Sequence, residues 1–249
     1  MNNQKNHLIG GITGGIGSKL AMTLIADGHK VAGFARNKDK LDQFGEQNMC
    51  HTTNCDATKP DEVTETIQDL HQELGSIDTY THAVGSIFLK PAHFTTDADW
   101  MHTLETNLHS AFYALRSVCK IMSKQGNGSC LFFSTAAAQT GIANHEAIAA
   151  AKGGLEAMVR SAAASYSTRG IRINAIAPSL TDTPLSQSIV GDAQALEISK
   201  RMHPLGSIGQ AADIASLAAW IHSENAQFVT GQTFVADGGI SSIVPKLKA

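Results

Sequence analysis

The sequence has little charge and no long apolar run. Charged residues make up 16% of the 249 residues, and the formal net charge is only −3 at pH 7. A balance this close to neutral gives no reason to expect binding to nucleic acid or to an anionic membrane. No apolar run approaches the ~20 residues that a helix needs to span a bilayer, so no membrane segment is expected. The first seven residues are polar and lead into a strand, so no secretory signal is expected.

Cysteines are also few, and their positions predict no metal site. Cys50, Cys55, Cys119 and Cys130 lack the spacing of metal ligands. Free thiols in a reducing compartment are the simplest interpretation, so a cytoplasmic protein is expected. Repeats, low-complexity tracts and linkers are absent as well. The length and the 43% apolar content therefore predict one globular domain spanning residues 1–249.

Strand-like and helix-like runs alternate along the chain. After a first strand at Leu8 and Ile9, strands are predicted at 31–35, 49–54, 77–83, 130–133, 171–176 and 232–236. Helices are predicted at 16–26, 63–74, 104–123, 147–167 and 211–222. This alternation predicts an α/β fold of Rossmann type, a doubly wound parallel sheet of about seven strands with helices on both faces.

A glycine-rich loop lies between the first strand and the first helix, where residues 8–20 read LIGGITGGIGSKL. The pyrophosphate of a dinucleotide needs a tight turn, close approach of the backbone and the N-terminus of a helix. Glycine permits the first two because it has no Cβ. The loop therefore predicts dinucleotide binding, rather than a purely structural turn, through Gly11, Thr13, Gly15, Ile16 and Gly17.

The end of the second strand bears on the choice of nucleotide. An acidic residue there holds the ribose hydroxyls of NAD, whereas an arginine holds the 2′-phosphate of NADP. This strand ends in Ala35 and Arg36, and no acid follows until Asp39. NADP is therefore predicted in preference to NAD, with a solvent-facing Arg36 as the alternative.

Together with residues farther along, this loop resembles the short-chain dehydrogenase/reductase family over nearly the whole chain. The resemblance implies that Asp56 meets the adenine, that Lys152 holds the nicotinamide ribose, and that the stretch from Pro178 to Thr183 contacts the nicotinamide amide. Gly85 is the one residue kept from the family's Asn-Asn-Ala-Gly motif, since His82 occupies the place of the first asparagine.

The resemblance also implies an active site that contains Asn107, Thr135 and Lys152, but the family's tyrosine is missing. Its position, four residues before Lys152, is occupied by Ile148. In the family mechanism, hydride passes between the nicotinamide and a substrate carbon while the tyrosine transfers a proton on oxygen. Isoleucine cannot transfer a proton, and loss of a positioned general acid costs roughly 10² to 10⁴ in rate.

Three interpretations follow for the chemistry. In the first, His145 transfers the proton; it lies seven residues before Lys152 and so on the same helical face. The enoyl-acyl-carrier-protein reductases of the family place their tyrosine at that spacing, although His145 can equally be a polar residue near the start of a helix. In the second, Thr135, Asn107, Lys152 and water support slow carbonyl or alcohol chemistry. In the third, the protein is a non-catalytic NADP-binding sensor or partner subunit.

The segment 181–205 corresponds to the flap that covers a small-molecule substrate in this family. Its apolar residues suggest a lipophilic substrate, with packing of the flap or of a subunit contact as the alternative. The two long helices resemble those through which family members associate. A homo-oligomer, either dimer or tetramer, is therefore expected.

Overall fold

The computed structural model describes residues 4–245, so the first three and the last four residues of the predicted domain lie outside the described residues. Within this range the strands are β1 (Asn6–Gly10), β2 (Lys30–Ala35), β3 (His51–Asn54), β4 (Thr79–His82), β5 (Gly128–Phe133), β6 (Ile171–Pro178), β7 (Thr181–Asp182), β8 (Gly209–Gln210) and β9 (Thr233–Ala236). The α-helices are α1 (Gly15–Ala26), α2 (Lys38–Asn48), α3 (Pro60–Leu74), α4 (Asp97–Leu104), α5 (Ser110–Gln125), α6 (Glu146–Tyr166), α7 (Gln187–Val190), α8 (Ala193–Met202) and α9 (Ala211–His222).

Seven strands form one parallel sheet in the order β3-β2-β1-β4-β5-β6-β9. The predicted fold class is thereby confirmed. The chain reverses its direction of travel across the sheet between β1 and β4, and in such sheets ligands bind beyond the carboxyl ends of the strands at this reversal. The short strands β7 and β8 pair separately.

The sheet buries apolar side chains on both faces because neighbouring residues of a strand point to opposite sides. Leu8 packs with residues of α3, α5 and α6, whereas Ile9 packs with residues of α1 and α9. Helices therefore cover both faces, as the alternation of elements predicts. None of the described helices is long and apolar enough to cross a membrane.

Some predicted boundaries were wrong. The predicted helix at 104–123 is three pieces: α4, a π-helical turn at Glu105–His109, and α5. The helical region begins at Asp97, because Thr96 accepts a hydrogen bond from the amide of Asp99, whose carboxylate accepts one in return. Helix α2 was not predicted, since Leu41 is its one buried residue.

The strand predicted at 77–83 is shorter, covering Thr79–His82, and every residue of β4 is buried despite the polarity of the segment. The four cysteines are free, as predicted.

Candidate functional site

A cavity of about 870 Å³ lies where β1, β4, β5 and β6 end. This is the edge of the sheet at which ligands bind in open α/β folds. Most predicted site residues line it, namely Gly15, Ile16, Gly17, Gly85, Asn107, Thr135, His145, Lys152, Pro178 and Thr183. Four predicted residues, Gly11, Thr13, Arg36 and Asp56, are not part of its lining.

The glycine loop is closely packed and leaves no room for side chains at two positions. Gly11 has a φ of +80°, and a Cβ there would lie 2.6 Å from the carbonyl oxygen of Ala83. A Cβ on Gly17 would lie 2.3 Å from the carbonyl oxygen of Gly11. Helix α1 begins at Gly15 with no side chain capping it, so its first amides remain available to an anion.

Arg36 and Asp56 lie beside this loop, just beyond the ends of the neighbouring strands β2 and β3. Arg36 is exposed. Burial tends to raise the pKa of the Asp56 carboxyl, but hydrogen bonds from the backbone and side chain of Thr58 and the charge of Arg36 hold it below its usual value. The two side chains are thus electrostatic neighbours outside the main cavity.

Lys152 is buried on α6, and its ammonium donates a 2.8 Å hydrogen bond to the carbonyl oxygen of Phe133 at the end of β5. Burial lowers the pKa of Lys152 from 10.5 to about 8. At neutral pH it is therefore a cation in the wall of the cavity, held by a neutral carbonyl.

Asn107 lies in the π-helical turn and is 1% exposed. Its Nδ2 donates to the hydroxyl of Ser86 and to the carbonyl oxygen of Thr103, and its Oδ1 accepts from the backbone amide of Ser86. The amide therefore fastens the loop after β4 to the helix. A π-helical turn commonly marks a functional position.

Thr135 directly follows the buried residue Ser134 at the end of β5. The hydroxyl of Ser134 donates to the Glu156 carboxylate at 2.6 Å, so its hydrogen is not available to a ligand in the cavity. The Thr135 oxygen accepts a long, 3.4 Å bond from the amide of Ala137 and lines the cavity. Of the two neighbouring hydroxyls, Thr135 is the one available to a ligand.

Ile148 lines the cavity where the family resemblance calls for a tyrosine, and it is 6% exposed. His145, half-buried at the start of α6, also lines it. Its Nδ1 lies 2.7 Å from the carbonyl oxygen of Ala143, which can only accept, so Nδ1 carries the proton and Nε2 is the free nitrogen. His145 is thus one ionisable side chain facing the cavity with an uncommitted ring nitrogen.

A second histidine at the cavity was missed by the sequence reasoning. His203, which follows α8, lies with Nε2 2.7 Å from the hydroxyl oxygen of Ser179. The two residues are 24 positions apart, and no local pattern in the sequence connects them.

The predicted flap contains β7, α7 and α8, and it contributes apolar and polar side chains to the cavity. The flap residues that line the cavity with aliphatic or thioether side chains are Leu185, Ile189, Ala195, Ile198 and Met202. Those that line it with polar side chains are Thr181, Thr183, Ser186, Ser199 and His203. Val190 and Leu196, also apolar, are outside the lining.

Comparison with known proteins agrees with this geometry. The protein-family model described as enoyl-(acyl carrier protein) reductase matches residues 11–241. The chain is 31% identical to 2-(S)-hydroxypropyl-CoM dehydrogenase 3 of Xanthobacter autotrophicus, over 97% of this chain and 99% of that protein. It is 30% identical to the 3-oxoacyl-[acyl-carrier-protein] reductase FabG of Salmonella typhimurium, over 94% and 96% of the two chains.

Among solved structures, a short-chain type dehydrogenase/reductase from Mycobacterium ulcerans superposes with a TM-score of 0.92 at 26% identity, covering 97% of this chain and 91% of that one.

Proposed function

This chain belongs to the short-chain dehydrogenase/reductase family of NAD(P)-dependent oxidoreductases, and from that premise we propose that it transfers hydride between NADP(H) and a small, lipophilic carbonyl, alcohol or enoyl substrate. One observation carries the proposal. Buried Lys152 shares a single cavity with the glycine loop, while the flap contributes five aliphatic or thioether side chains to the same lining. A nucleotide end and a substrate end are thus joined in one space.

The residues present fit a nicotinamide dinucleotide. The cradle at Gly11 and Gly17 would be filled by any Cβ, and the uncapped start of α1 offers amides to a pyrophosphate. The residues proposed to hold the nucleotide are Gly11, Thr13, Gly15, Ile16, Gly17, Arg36, Asp56, Gly85, Lys152, Pro178 and Thr183. When bound, the nucleotide supplies or accepts the hydride.

Replacing Arg36 by alanine is expected to weaken NADP binding by about 10- to 100-fold, because a charged hydrogen bond to the 2′-phosphate contributes about 1.5 to 3 kcal/mol. NAD, which lacks that phosphate, should bind Arg36→Ala as it binds the unaltered protein. Dissociation constants from calorimetry measure both. Lys38→Ala is the matched control, since Lys38 is an exposed cation two residues away that is paired with Asp42. Tighter binding of NAD than NADP, with no effect of Arg36→Ala, would refute the assignment.

For proton transfer we propose His145, acting through Nε2, with Thr135 polarising the substrate oxygen and Asn107 fixing the surrounding loop. With Nδ1 held on the carbonyl of Ala143, a protonated ring presents its other N–H and a neutral ring presents a lone pair. The side chain therefore meets the chemical requirement that Ile148 cannot meet.

Anaerobic single-turnover assays test the function. Protein loaded with NADPH is mixed with ketones and with enoyl or dienoyl thioesters, and oxidation of NADPH is followed by absorbance. We expect at least one class to react, and His145→Phe to lower that rate by about 10²-fold or more. His51→Phe, an exposed histidine on β3, is the control and should leave the rate unchanged.

The other outcomes identify the alternatives. An unchanged rate in His145→Phe would favour proton transfer through water beside Thr135 and Lys152. A complete absence of NADPH oxidation, together with nucleotide-dependent binding of a partner protein, would favour a non-catalytic NADP-binding sensor. The observation that favours this second function is the burial of Ile148 in the cavity wall, because isoleucine cannot transfer a proton.

We also propose that the protein forms a homodimer or homotetramer. The two long helices predicted to mediate association correspond to α5 and α6, and the partly exposed Phe112 on α5 supports association there.

A further inference from the structure

A serine–histidine pair lines the cavity beside the flap. Neither residue has a role of its own in the proposed function, although Ser179 lies in the stretch from Pro178 to Thr183 that the family resemblance places at the nicotinamide amide. Ser179 follows Pro178 at the end of β6, and His203 follows α8. Both line the cavity. Nε2 of His203 is 2.7 Å from Oγ of Ser179, and Nδ1 of His203 is 2.6 Å from the carbonyl oxygen of Ser199. The imidazole thus joins the flap to the end of the sheet.

The direction of these hydrogen bonds follows from their chemistry. A carbonyl oxygen can only accept, so Nδ1 of His203 carries the proton that is donated to Ser199. In the neutral ring Nε2 then has a lone pair, and the hydroxyl of Ser179 must donate to it. The ring is 5% exposed and packs against Gly238, where a Cβ would lie 3.3 Å from Cδ2 of His203. The hydroxyl hydrogen of Ser179 is therefore used in the bond to Nε2 of His203. Towards the cavity, the Ser179 oxygen can only accept a hydrogen bond.

The aliphatic or thioether side chains around this oxygen are Leu180, Leu185, Ile189, Ala195, Ile198 and Met202. The same wall carries the hydroxyls of Thr181, Thr183, Ser186 and Ser199, each of which donates to a backbone carbonyl of a nearby residue in the chain. Ser179 differs from them because its hydroxyl is paired with a side chain, the imidazole of His203. An acceptor in such a wall favours a ligand that carries a donor at the matching point, because a buried polar group left without a partner is costly.

We propose that Ser179 and His203 form a polar subsite that recognises a hydrogen-bond donor, a hydroxyl or an N–H, which the substrate carries in addition to its reacting group. In the reductive direction the reacting oxygen belongs to a carbonyl, which only accepts and so cannot satisfy the oxygen of Ser179. Two donors remain: a second group on the substrate, which is the one assigned here, and the N–H of the nicotinamide amide, which the stretch from Pro178 to Thr183 is expected to contact. Occupation of Ser179 by the amide would leave no preference for a diol in the presence of NADPH. This inference rests on the proposed function for the reacting group and narrows the substrate class to lipophilic molecules with a further hydroxyl or amide.

Binding of alcohols to the full-length protein tests the subsite without requiring turnover. The probes are octan-2-ol and a series of octanediols in which the second hydroxyl is moved along the chain. Titrations are made anaerobically with saturating NADPH, because an alcohol and the reduced nucleotide cannot exchange hydride. We expect one diol to bind at least about fivefold more tightly than octan-2-ol, as one additional satisfied hydrogen bond predicts.

Three variants make the assignment specific. Ser179→Ala should reduce the ratio of the two dissociation constants to about one, whereas Ser179→Thr, which keeps a hydroxyl, should preserve the preference for the diol. His203→Phe frees the hydroxyl hydrogen of Ser179, so the preference should fall. Ser199→Ala is the matched control in the same cavity, because its hydroxyl bonds to Ala195 within α8 and its backbone carbonyl remains. Thermal melts establish that each variant is folded.

The inference is overturned if no diol binds better than octan-2-ol, or if Ser179→Ala keeps the full preference. Failure of the proposed function looks different. If the protein prefers a diol but oxidises no NADPH with any ketone or thioester, the subsite is supported and the reductase assignment is refuted. If it reduces ketones but shows no preference for a diol, the proposed function is supported and the subsite is refuted. If NADPH does not bind, the same titrations with nucleotide-free protein decide the question.

Discussion

Lys152→Met is expected to lower the rate of NADPH oxidation by about 10²-fold or more while making the protein more stable at neutral pH. The loss of rate follows from removing Lys152, a buried cation in the wall of the cavity beside the proposed site of hydride transfer. Methionine has a similar length and no charge, so the wall of the cavity keeps its shape. Single-turnover absorbance and urea unfolding measure the two effects on the same preparation.

The gain in stability follows from the direction of the pKa change. Burial lowers the pKa of Lys152 to about 8 in the folded protein, from 10.5 in an unfolded chain. Below pH 8 the folded state must therefore hold a buried ammonium, which costs about 3 kcal/mol. This penalty disappears as the pH rises from 8 to 10.5, because the folded protein loses the proton before the unfolded chain does. Lys152→Met removes the penalty but leaves the Phe133 carbonyl without its donor, so the net gain at pH 7 should be about 1 to 2 kcal/mol.

The pH dependence separates this explanation from a general effect of the substitution. Unaltered protein should become more stable relative to Lys152→Met as the pH is raised from 7 to 9.5. Lys120→Met, on the exposed side of α5, should change neither the rate nor the stability. An unchanged rate in Lys152→Met, or a stability difference that is the same at both pH values, would contradict the electrostatic account.

The parts of the fold that could be predicted from sequence are those set by local patterns. The glycine loop lies between β1 and α1, as its position between an apolar strand and a helix indicates, and helix α9 has the predicted bounds, 211–222. The start of α4 was missed, although Thr96 and Asp99 have the spacing of a capping box. The π-helical turn around Asn107 could not be predicted, since its side-chain bonds reach back to Ser86 in another segment.

The residues of the candidate site likewise fall into those that sequence motifs predict and those that only the fold brings together. Motif spacing led to Lys152, Thr135 and His145, and the fold brings them to one cavity. The Ser179–His203 pair depends on how the flap folds back over β6, which no run of adjacent residues encodes. Arg36 remains a prediction, because it is exposed outside the cavity lining and its contact with a 2′-phosphate is untested.

The polarity of β4, unusual for a buried strand, is explained by histidines that pair with its side chains. The hydroxyl of Thr81 and Nε2 of His222 are 2.8 Å apart, and the hydroxyl of Thr79 and Nδ1 of His7 are 2.5 Å apart. His82 itself bridges to the hydroxyls of Tyr80 and Ser110, at 2.8 and 3.0 Å. The hydroxyls can pair with either form of the ring, but burial penalises the charged form, so the rings of His7, His82 and His222 are neutral in the folded protein at neutral pH.

Acid should therefore unfold this protein through His7, His82 and His222. Burial, followed by the charges of His29 and Lys5, lowers the pKa of His7 to about 3, and burial with the charge of Lys152 lowers that of His82 to about 3. Burial is also the main reason that the pKa of His222 is well below its usual value. Nε2 of His7 has no hydrogen-bond partner among residues 4–245, so a proton there would be an uncompensated buried charge.

The pH range of this effect follows from the two states. An unfolded chain binds protons to these histidines as the pH falls through 6.5, whereas the folded protein does not bind them to His7 or His82 until about pH 3. Stability is complete above 6.5 and is lost progressively below it. At pH 4.5 His7 and His82 each cost about 3 kcal/mol, a large part of the 5 to 15 kcal/mol that typically separates folded from unfolded proteins.

His82→Asn isolates one of these contributions. Asparagine is the residue that the family resemblance places there, and it has no proton to gain in this range. The fall in unfolding free energy between pH 7.5 and 4.5, measured with urea, should be smaller by about 3 kcal/mol in His82→Asn, even if the variant is less stable at pH 7.5. His7→Asn should reduce the fall similarly, and His93→Asn, an exposed histidine, should not. Equal acid sensitivity in all three variants and in the unaltered protein would contradict this account and would mean that other groups, such as the carboxyls of Asp56 and Asp237, whose pKa the fold lowers, cause the unfolding.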